Sequence, residues 1–476
     1  MSGLEGISWK SRVSLEDGRG AAVAAQNSSR RFNLLSIPWL RALLVSRWPL
    51  FVVRAVTLAG FVFTILVGLL GTRVGSHNFA IIFVWIAWWT ALKLAFIPLG
   101  GRSWCSVCPL PLPGEWLRQG GIFEKSERRL GLNLRVPKRL KGSWLQSGGF
   151  LLVGLFSAVT LTEARVTAWV LLALFGLALL MSLIFERRAF CSQLCPIGGF
   201  TGMYAKTAPV ELRVVDSSVC AAHDQKTCYH NCPWGAYPLA LRDNAQCGLC
   251  MECLRSCPED NIAVNLRPFG EDISKQVRSS RLDEAFLALV MIGSALAFTA
   301  VFSGPWGGLK SAAFAIGSSD WLQYSLGFLG LNLILLPGIF SLAVWMGQKW
   351  SGEKARLRWA MANQAQALLP LGLFAWIAFT VSFAFPKSHY VVSVVSDPFG
   401  WGWNLLGTAN SSWSLDGGGL SALLQAAALL VGLTWSVKTA SRLVNARDSK
   451  ANFRQTLPVG VFCLLFTLGM LWLLVG

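Results

Sequence analysis

The 476-residue chain is poor in charge and in histidine. Only 14% of its residues are Asp, Glu, Lys or Arg, against roughly 25% in ordinary soluble domains. That shortage excludes a chain folded wholly in water. With 54% hydrophobic residues and a mean hydropathy of +0.51, the solvent for much of it is lipid. There are four histidines, His77, His223, His230 and His389, and none falls mid-way along an apolar run. A bis-histidine haem b is therefore not expected. Mid-span acids and bases are scarce too, which argues against ion-coupled transport. Residues 1–31 contain no apolar core of the length a cleavable leader needs, so none is expected.

What the chain does have is long apolar runs. Crossing about 30 Å of hydrocarbon takes about 20 residues, and runs of that size lie near 50–71, 77–99, 146–163, 166–185, 284–303, 322–346, 365–385, 420–440 and 457–475. The fold class expected is mainly α: a polytopic helical membrane protein of about nine spans. Many of the 22 Trp, such as Trp48, Trp321, Trp350 and Trp359, flank these runs as interfacial anchors do.

The net charge of +18 sits in alternate loops rather than on one face, so nucleic acid is not an expected partner. Lys10, Arg12, Arg19, Arg30, Arg31, Arg41 and Arg47 precede span one. Arg118, Lys125, Arg128, Arg129, Arg135, Lys138, Arg139 and Lys141 follow span two. Lys349, Lys354, Arg356 and Arg358 follow span six, and Arg442, Arg447, Lys450 and Arg454 follow span eight. The other loops hold only Arg73, Arg165, Lys310 and Lys387. Positive charge inside places the N-terminus in the cytoplasm and the C-terminus outside, in a bacterial-type inner membrane.

The expected organisation is a cytoplasmic arm at 1–49 with an interfacial helix near 32–47, a four-span region at 50–185, a polar, cysteine-rich cytoplasmic insert at 186–282, and a five-span region at 283–476. Residues 386–419 form an outer loop, in which Asp397 and Asp416 are expected to be solvated and Trp401 and Trp403 are docking candidates. Arg54 and Lys93 fall within apolar runs near a boundary, where snorkelling to the interface is expected.

Eleven of the twelve cysteines lie between residues 105 and 257, all on the expected cytoplasmic side; Cys463 sits in the last span. Reducing conditions there favour metal ligation over disulfides. Cys247-x2-Cys250-x2-Cys253-x3-Cys257-Pro258 is the bacterial ferredoxin run for a [4Fe–4S] cluster. A zinc knuckle would pair two separated CxxC units instead. By the crossed ligation of such runs, Cys232 completes the cluster of Cys247, Cys250 and Cys253, while Cys257 joins Cys220 and Cys228 on a second. The fourth ligand of the second stays open: a non-cysteine group (His223, Asp224 or His230), a [3Fe–4S] centre, a borrowed cysteine, or no second cluster all fit the spacing. Cys105-x2-Cys108-Pro109 and Cys191-x3-Cys195-Pro196 each follow a span. Their four thiols are placed to meet at the membrane edge as a third cluster, a copper or zinc site, or redox thiols.

These motifs resemble the polyferredoxin-like membrane proteins of the NosR/NapH group, which is itself similar to the CcoG/RdxA proteins. The resemblance covers about residues 50–270. It rests on Cys247, Cys250, Cys253, Cys257 and Pro258; on Cys191, Cys195 and Pro196 followed by Ile197 and Gly198; and on Cys228, Cys232 and Pro233. Cys105 and Cys108 are one residue closer than the group's pattern, Cys220 is displaced, and residues 283–476 add five spans. The resemblance implies electron transfer between quinol or a cytoplasmic donor and an extracytoplasmic redox partner. The chain then acts as a redox subunit or accessory carrier rather than a stand-alone enzyme. The alternative is a copper reductase or metal-centre assembly factor built on the four membrane-edge cysteines.

Overall fold

The computed structural model describes residues 31–119, 130–274, 281–411, 413, 419–444 and 449–476. Lys10, Arg12, Arg19, Arg30, Lys125, Arg128, Arg129, Asp416 and Arg447 lie outside the described residues. Ten helices carry the architecture: α1 Trp48–Leu70, α2 Phe79–Gly100, α3 Trp144–Leu155, α4 Ala164–Ile184, α5 Pro196–Tyr204, α6 Leu282–Phe302, α7 Ser319–Ser351, α8 Leu357–Ala384, α9 Leu420–Leu443 and α10 Asn452–Leu474. Eight of them, all but α3 and α5, are long and apolar enough to cross a membrane.

The run at 146–163 departs from the expected pattern. Its helix α3 has 12 residues and stops where Phe156 leaves helical geometry (φ −95°, ψ 10°); one further turn, Ser157–Thr160, follows. Phe156 packs against Trp321 of α7, ring centroids 5.5 Å apart, and Gly154 lies against the Phe328 ring, where a Cβ would come to 3.0 Å. The glycines that allow this close packing also weaken the helix, since Gly costs about 1 kcal/mol relative to Ala in a helix interior. At the start of this segment the Ser143 N–H donates to the Asp283 carboxylate of α6 at 2.8 Å, and its end leads into α4. Among the described residues there are thus eight helices long enough to span and one shorter, interrupted apolar helix, rather than nine uniform helices.

The N-terminal and C-terminal sets of helices share one core. α3 packs on α5 and α6, and α8 packs on α2, α5, α6 and α9. The centre is Trp376 of α8, 1% exposed, whose indole N–H donates to the Met291 carbonyl at 3.0 Å. Trp89, Phe150, Phe200 and Phe298 surround it at centroid distances of 5.5 to 6.4 Å. At the face away from the cysteines, Thr72 N–H donates to Phe399 O and Phe79 N–H to Pro398 O, tying the loop before α2 to the loop after α8. The Asp397 carboxylate there accepts N–H bonds from Trp401 and Gly402. It shapes the turn that presents the two exposed indoles, Trp401 and Trp403.

Lys93 does not snorkel. It is 0% exposed, and its ammonium lies among the rings of Trp89, Trp376, Phe379 and Phe383 at 5.0, 5.1, 5.8 and 5.7 Å. α8, remote in sequence, closes over it. Cation–π attraction of about 2 kcal/mol at a desolvated site is small beside the cost of taking an ammonium out of water. Lys93→Met, similar in length and apolar, is expected to raise the midpoint of thermal unfolding in detergent. A lower midpoint would show that the ring cage outweighs desolvation.

The polar insert builds a three-stranded antiparallel sheet of order β1–β3–β2, from β1 Phe32–Asn33, β2 Val210–Val214 and β3 Ile262–Leu266. β1 lies at the front of the stretch expected to be an interfacial helix; the helix there is confined to Pro38–Val45. Cross-strand pairing of Phe32 with Leu266 is a long-range contact that local periodicity does not announce. Buried Arg267 bridges Glu211 at 2.9 Å and Asp272 at 2.6 Å, and Lys206 reaches Glu284 of α6 at 2.8 Å. The sheet is thereby pinned to the bundle.

Candidate iron–sulfur sites

The eleven clustered cysteines fall into three groups whose thiols lie near enough to perturb one another's ionisation. At the membrane edge, Cys105 and Cys108 come from a short helix, Trp104–Val107, and the residue that ends it, just beyond α2. Cys191 and Cys195 come from the turn between α4 and α5. Cys191 feels Cys195, Cys108 and Cys105. Pro196 starts α5 with Cys195 as its N-cap, and the Cys195 Sγ accepts the Gly198 N–H at 3.2 Å. A Cβ on Gly198 would meet the Cys191 carbonyl at 2.4 Å, so only glycine lets the turn close. Cys105 Sγ lies 3.4 Å from Thr201 Oγ1.

The second group unites Cys232 with Cys247, Cys250 and Cys253. Leu249 and Met251 adopt left-handed φ values of 51° and 60°, which curl the three-thiol loop upon itself. Such conformations in non-glycine residues cluster at functional sites. The third group holds Cys220, Cys228 and Cys257. Asn261 serves it twice: its side-chain amide donates to Cys220 Sγ at 3.2 Å and its backbone N–H to Cys257 Sγ at 3.3 Å. Tyr237 lies beside Cys220 and Cys228. No twelfth thiol joins, because Cys463 is buried in α10. His223 Nδ1 is buried without a hydrogen-bond partner, and His230 meets the Tyr229 ring edge-to-face.

Burial pushes the thiols up: Cys195 to about 12 and Cys250 to about 12, with Cys108, Cys191, Cys247 and Cys253 also raised. Thiols so disfavoured as free thiolates are suited to a bound metal, which deprotonates a ligating thiol outright. Among the described residues, no three His, Cys, Asp or Glu side chains converge on a point that would hold a single metal ion. A lone tetrahedral ion draws its sulfurs to about 2.3 Å; a four-iron cubane spreads them around a wider core. The buried Trp234 Nε1 has no partner and stands where a Cβ on Gly248 would come to 2.2 Å, beside Cys247. A donor left over at that point suits the sulfur of a cluster as acceptor.

Two arginines that sequence reasoning passed over sit between groups. Arg188, 1% exposed, forms a two-pronged pair with Glu115, Nε to Oε1 at 2.5 Å and Nη2 to Oε2 at 2.9 Å, and also donates to the Cys105 carbonyl. Its backbone N–H donates to Pro233 O at 2.9 Å. Burial opposes its charge, but the Glu115 carboxylate more than offsets this and holds its pKa above the ordinary value. Arg102, 6% exposed, donates to Cys191 O at 3.3 Å and to Ala245 O, and lies over the Trp234 ring at 4.2 Å. The available signal was their place: charges within Cys-Pro segments at span ends. Arg54 also turns to this region, donating to Ser106 O at 2.9 Å.

A family of 4Fe–4S binding domains matches residues 81–133 and 167–213. These segments take in Cys105, Cys108, Cys191 and Cys195 and stop short of Cys220. The ferredoxin-type protein MauN of methylamine utilization from Paracoccus denitrificans is 27% identical over 156 residues, covering 30% of this chain and 52% of that protein. MauN of Methylobacillus flagellatus is 28% identical over 173 residues, covering 34% and 50%. The ferredoxin-type protein NapH of Haemophilus influenzae is 28% identical over 152 residues, covering 30% and 51%. The chain spans about half the length of these curated relatives. No solved structure matches it. Over about a third of its length the chain is similar to the ferredoxin-type proteins MauN and NapH, two of its segments match a 4Fe–4S binding domain, and eight of its described helices are long and apolar enough to cross a membrane.

Proposed function

We propose that this chain is a membrane-bound electron carrier. In this reading Cys232, Cys247, Cys250 and Cys253 hold one [4Fe–4S] cluster, Cys220, Cys228 and Cys257 three corners of a second, and Cys105, Cys108, Cys191 and Cys195 a third. The observation that carries it is the gathering of thiols distant in sequence into three adjacent groups. Cubanes supply one-electron steps; the protein supplies thiolates, hydrogen bonds to sulfur from Gly198 and Asn261, and cations close by. The electrons pass between quinol or a cytoplasmic donor and a partner redox protein. The cysteine face is cytoplasmic, because the basic loops lie on it and the positive-inside rule orients them there. The domain match over the membrane-edge thiols favours a cluster there over the copper-handling alternative.

The test is metal and sulfide analysis of protein purified without oxygen, with EPR of the reduced sample. About twelve irons per chain, at four per cubane, are expected, with no copper. About eight would return the membrane-edge thiols to a non-cluster role, and stoichiometric copper lost in Cys105→Ser would replace this reading with the assembly-factor one.

A further inference from the structure

We propose that Trp234, clasped by Arg102, is the electron path between the membrane-edge site and the Cys232/Cys247/Cys250/Cys253 site. This rests on the reading that both groups hold [4Fe–4S] clusters. The step is one electron leaving a reduced [4Fe–4S] centre at one site, which returns to the 2+ state, and reducing the 2+ centre at the other. No bond forms or breaks and no proton moves.

Four observations converge on this side chain. Trp234 follows Cys232 and Pro233 directly, so its backbone belongs to the ferredoxin site. Its indole edge fills the space above Gly248, where a Cβ would come to 2.2 Å from Nε1, inside the Cys247–Cys250 loop. Its ring also packs against the apolar cluster that contains Cys191 and Cys195. Arg102 covers the ring at 4.2 Å and spans the same gap by hydrogen bonds, to Cys191 O on one side and Ala245 O on the other.

The clasp is built for Arg102. Gly202 on α5 leaves room for it, since a Cβ there would come to 3.1 Å from Nη1. Arg188 adds a second bridge, its guanidinium 5.6 Å from the Trp234 ring and its backbone N–H on Pro233. The charges are shared in the same way: Arg102 favours the thiolates of both Cys195 and Cys247, and Arg188 those of Cys191 and Cys250. Two anionic centres that exchange an electron repel each other, and cations lodged between them lower that repulsion. A packed aromatic ring supplies continuous atomic contact where a gap would supply none.

The experiment mixes the loaded, full-length protein rapidly with less than one equivalent of dithionite. Freeze-quench EPR then follows redistribution of the electron between the two sites, with iron counted in the same samples. Trp234→Phe, which keeps a ring in place, is expected to stay close to the wild-type rate. Trp234→Leu, with full iron, is expected to equilibrate about tenfold more slowly, because the lost indole leaves a break in packed contact. An unchanged rate in Trp234→Leu with full iron overturns the proposal. If Trp234→Leu loses iron, Arg102→Lys decides, since it keeps the charge but gives up the planar stack: a slowed rate supports the path and an unchanged rate overturns it. Absence of either cluster from the wild type would instead defeat the functional reading beneath it.

Discussion

Cys250→Ser is expected to purify with about four fewer irons per chain than the wild type, one whole cubane. Cys250 is 7% exposed at the turn between the left-handed residues Leu249 and Met251. A serine hydroxyl there is a poor soft-metal ligand. Cys253, Met251 and Leu254 form the small core beneath the sheet with Leu212, Ile262 and Val264, so losing the cluster also loosens this part of the fold. The membrane-edge thiols stand on the short helix beyond α2 and in the turn leading into α5, and their share of the iron is expected to stay. Iron and sulfide analysis with EPR reads both outcomes. Full iron in Cys250→Ser would remove this residue from the ligand set.

The second large effect concerns Glu115. Its carboxylate, 7% exposed at the side chain, is the partner of Arg188, whose side chain is fully buried. Glu115→Ala leaves a buried guanidinium without its carboxylate partner, hydrogen-bonded to the Cys105 carbonyl. Breaking a buried pair from one side costs about 3–5 kcal/mol, because the abandoned charge has lost both water and counter-charge. The expected result is a fall in the midpoint of thermal unfolding in detergent, together with loss of membrane-edge iron, since Arg188 fixes the Cys105 backbone. Replacing both partners, Glu115→Met with Arg188→Met, is expected to recover much of the stability, because swapping a buried ion pair for apolar side chains is often near neutral. Equal stability of Glu115→Ala and wild type would mean that water reaches Arg188.

Much of the fold is written in local sequence. The apolar runs announce themselves by length, and hydrocarbon forces such runs into helices because every backbone group must find its partner within the segment. The ferredoxin run Cys247–Pro258 is similarly local: its spacing is the geometry of one loop. The third span was harder, because composition showed its length but not the departure at Phe156, which goes with packing against Trp321 and Phe328 on α7. Residues 32–33 were harder still. Nothing in their own pattern marks a strand, and the partner that makes them one lies at Leu266.

The sites divide along the same line. Which cysteines are candidate ligands, and that they follow apolar runs or lie in one polar stretch, is legible in the sequence alone, because cysteine spacing and hydropathy are properties of neighbouring residues. That Cys105 and Cys108 meet Cys191 and Cys195, that Arg188 and Arg102 stand between groups with Trp234, and that α8 shuts Lys93 into a cage of rings were decided only by tertiary structure. Each depends on helix packing between segments dozens to hundreds of residues apart. The free energy of burying an arginine or a lysine is set by what closes over it, and no local pattern records that.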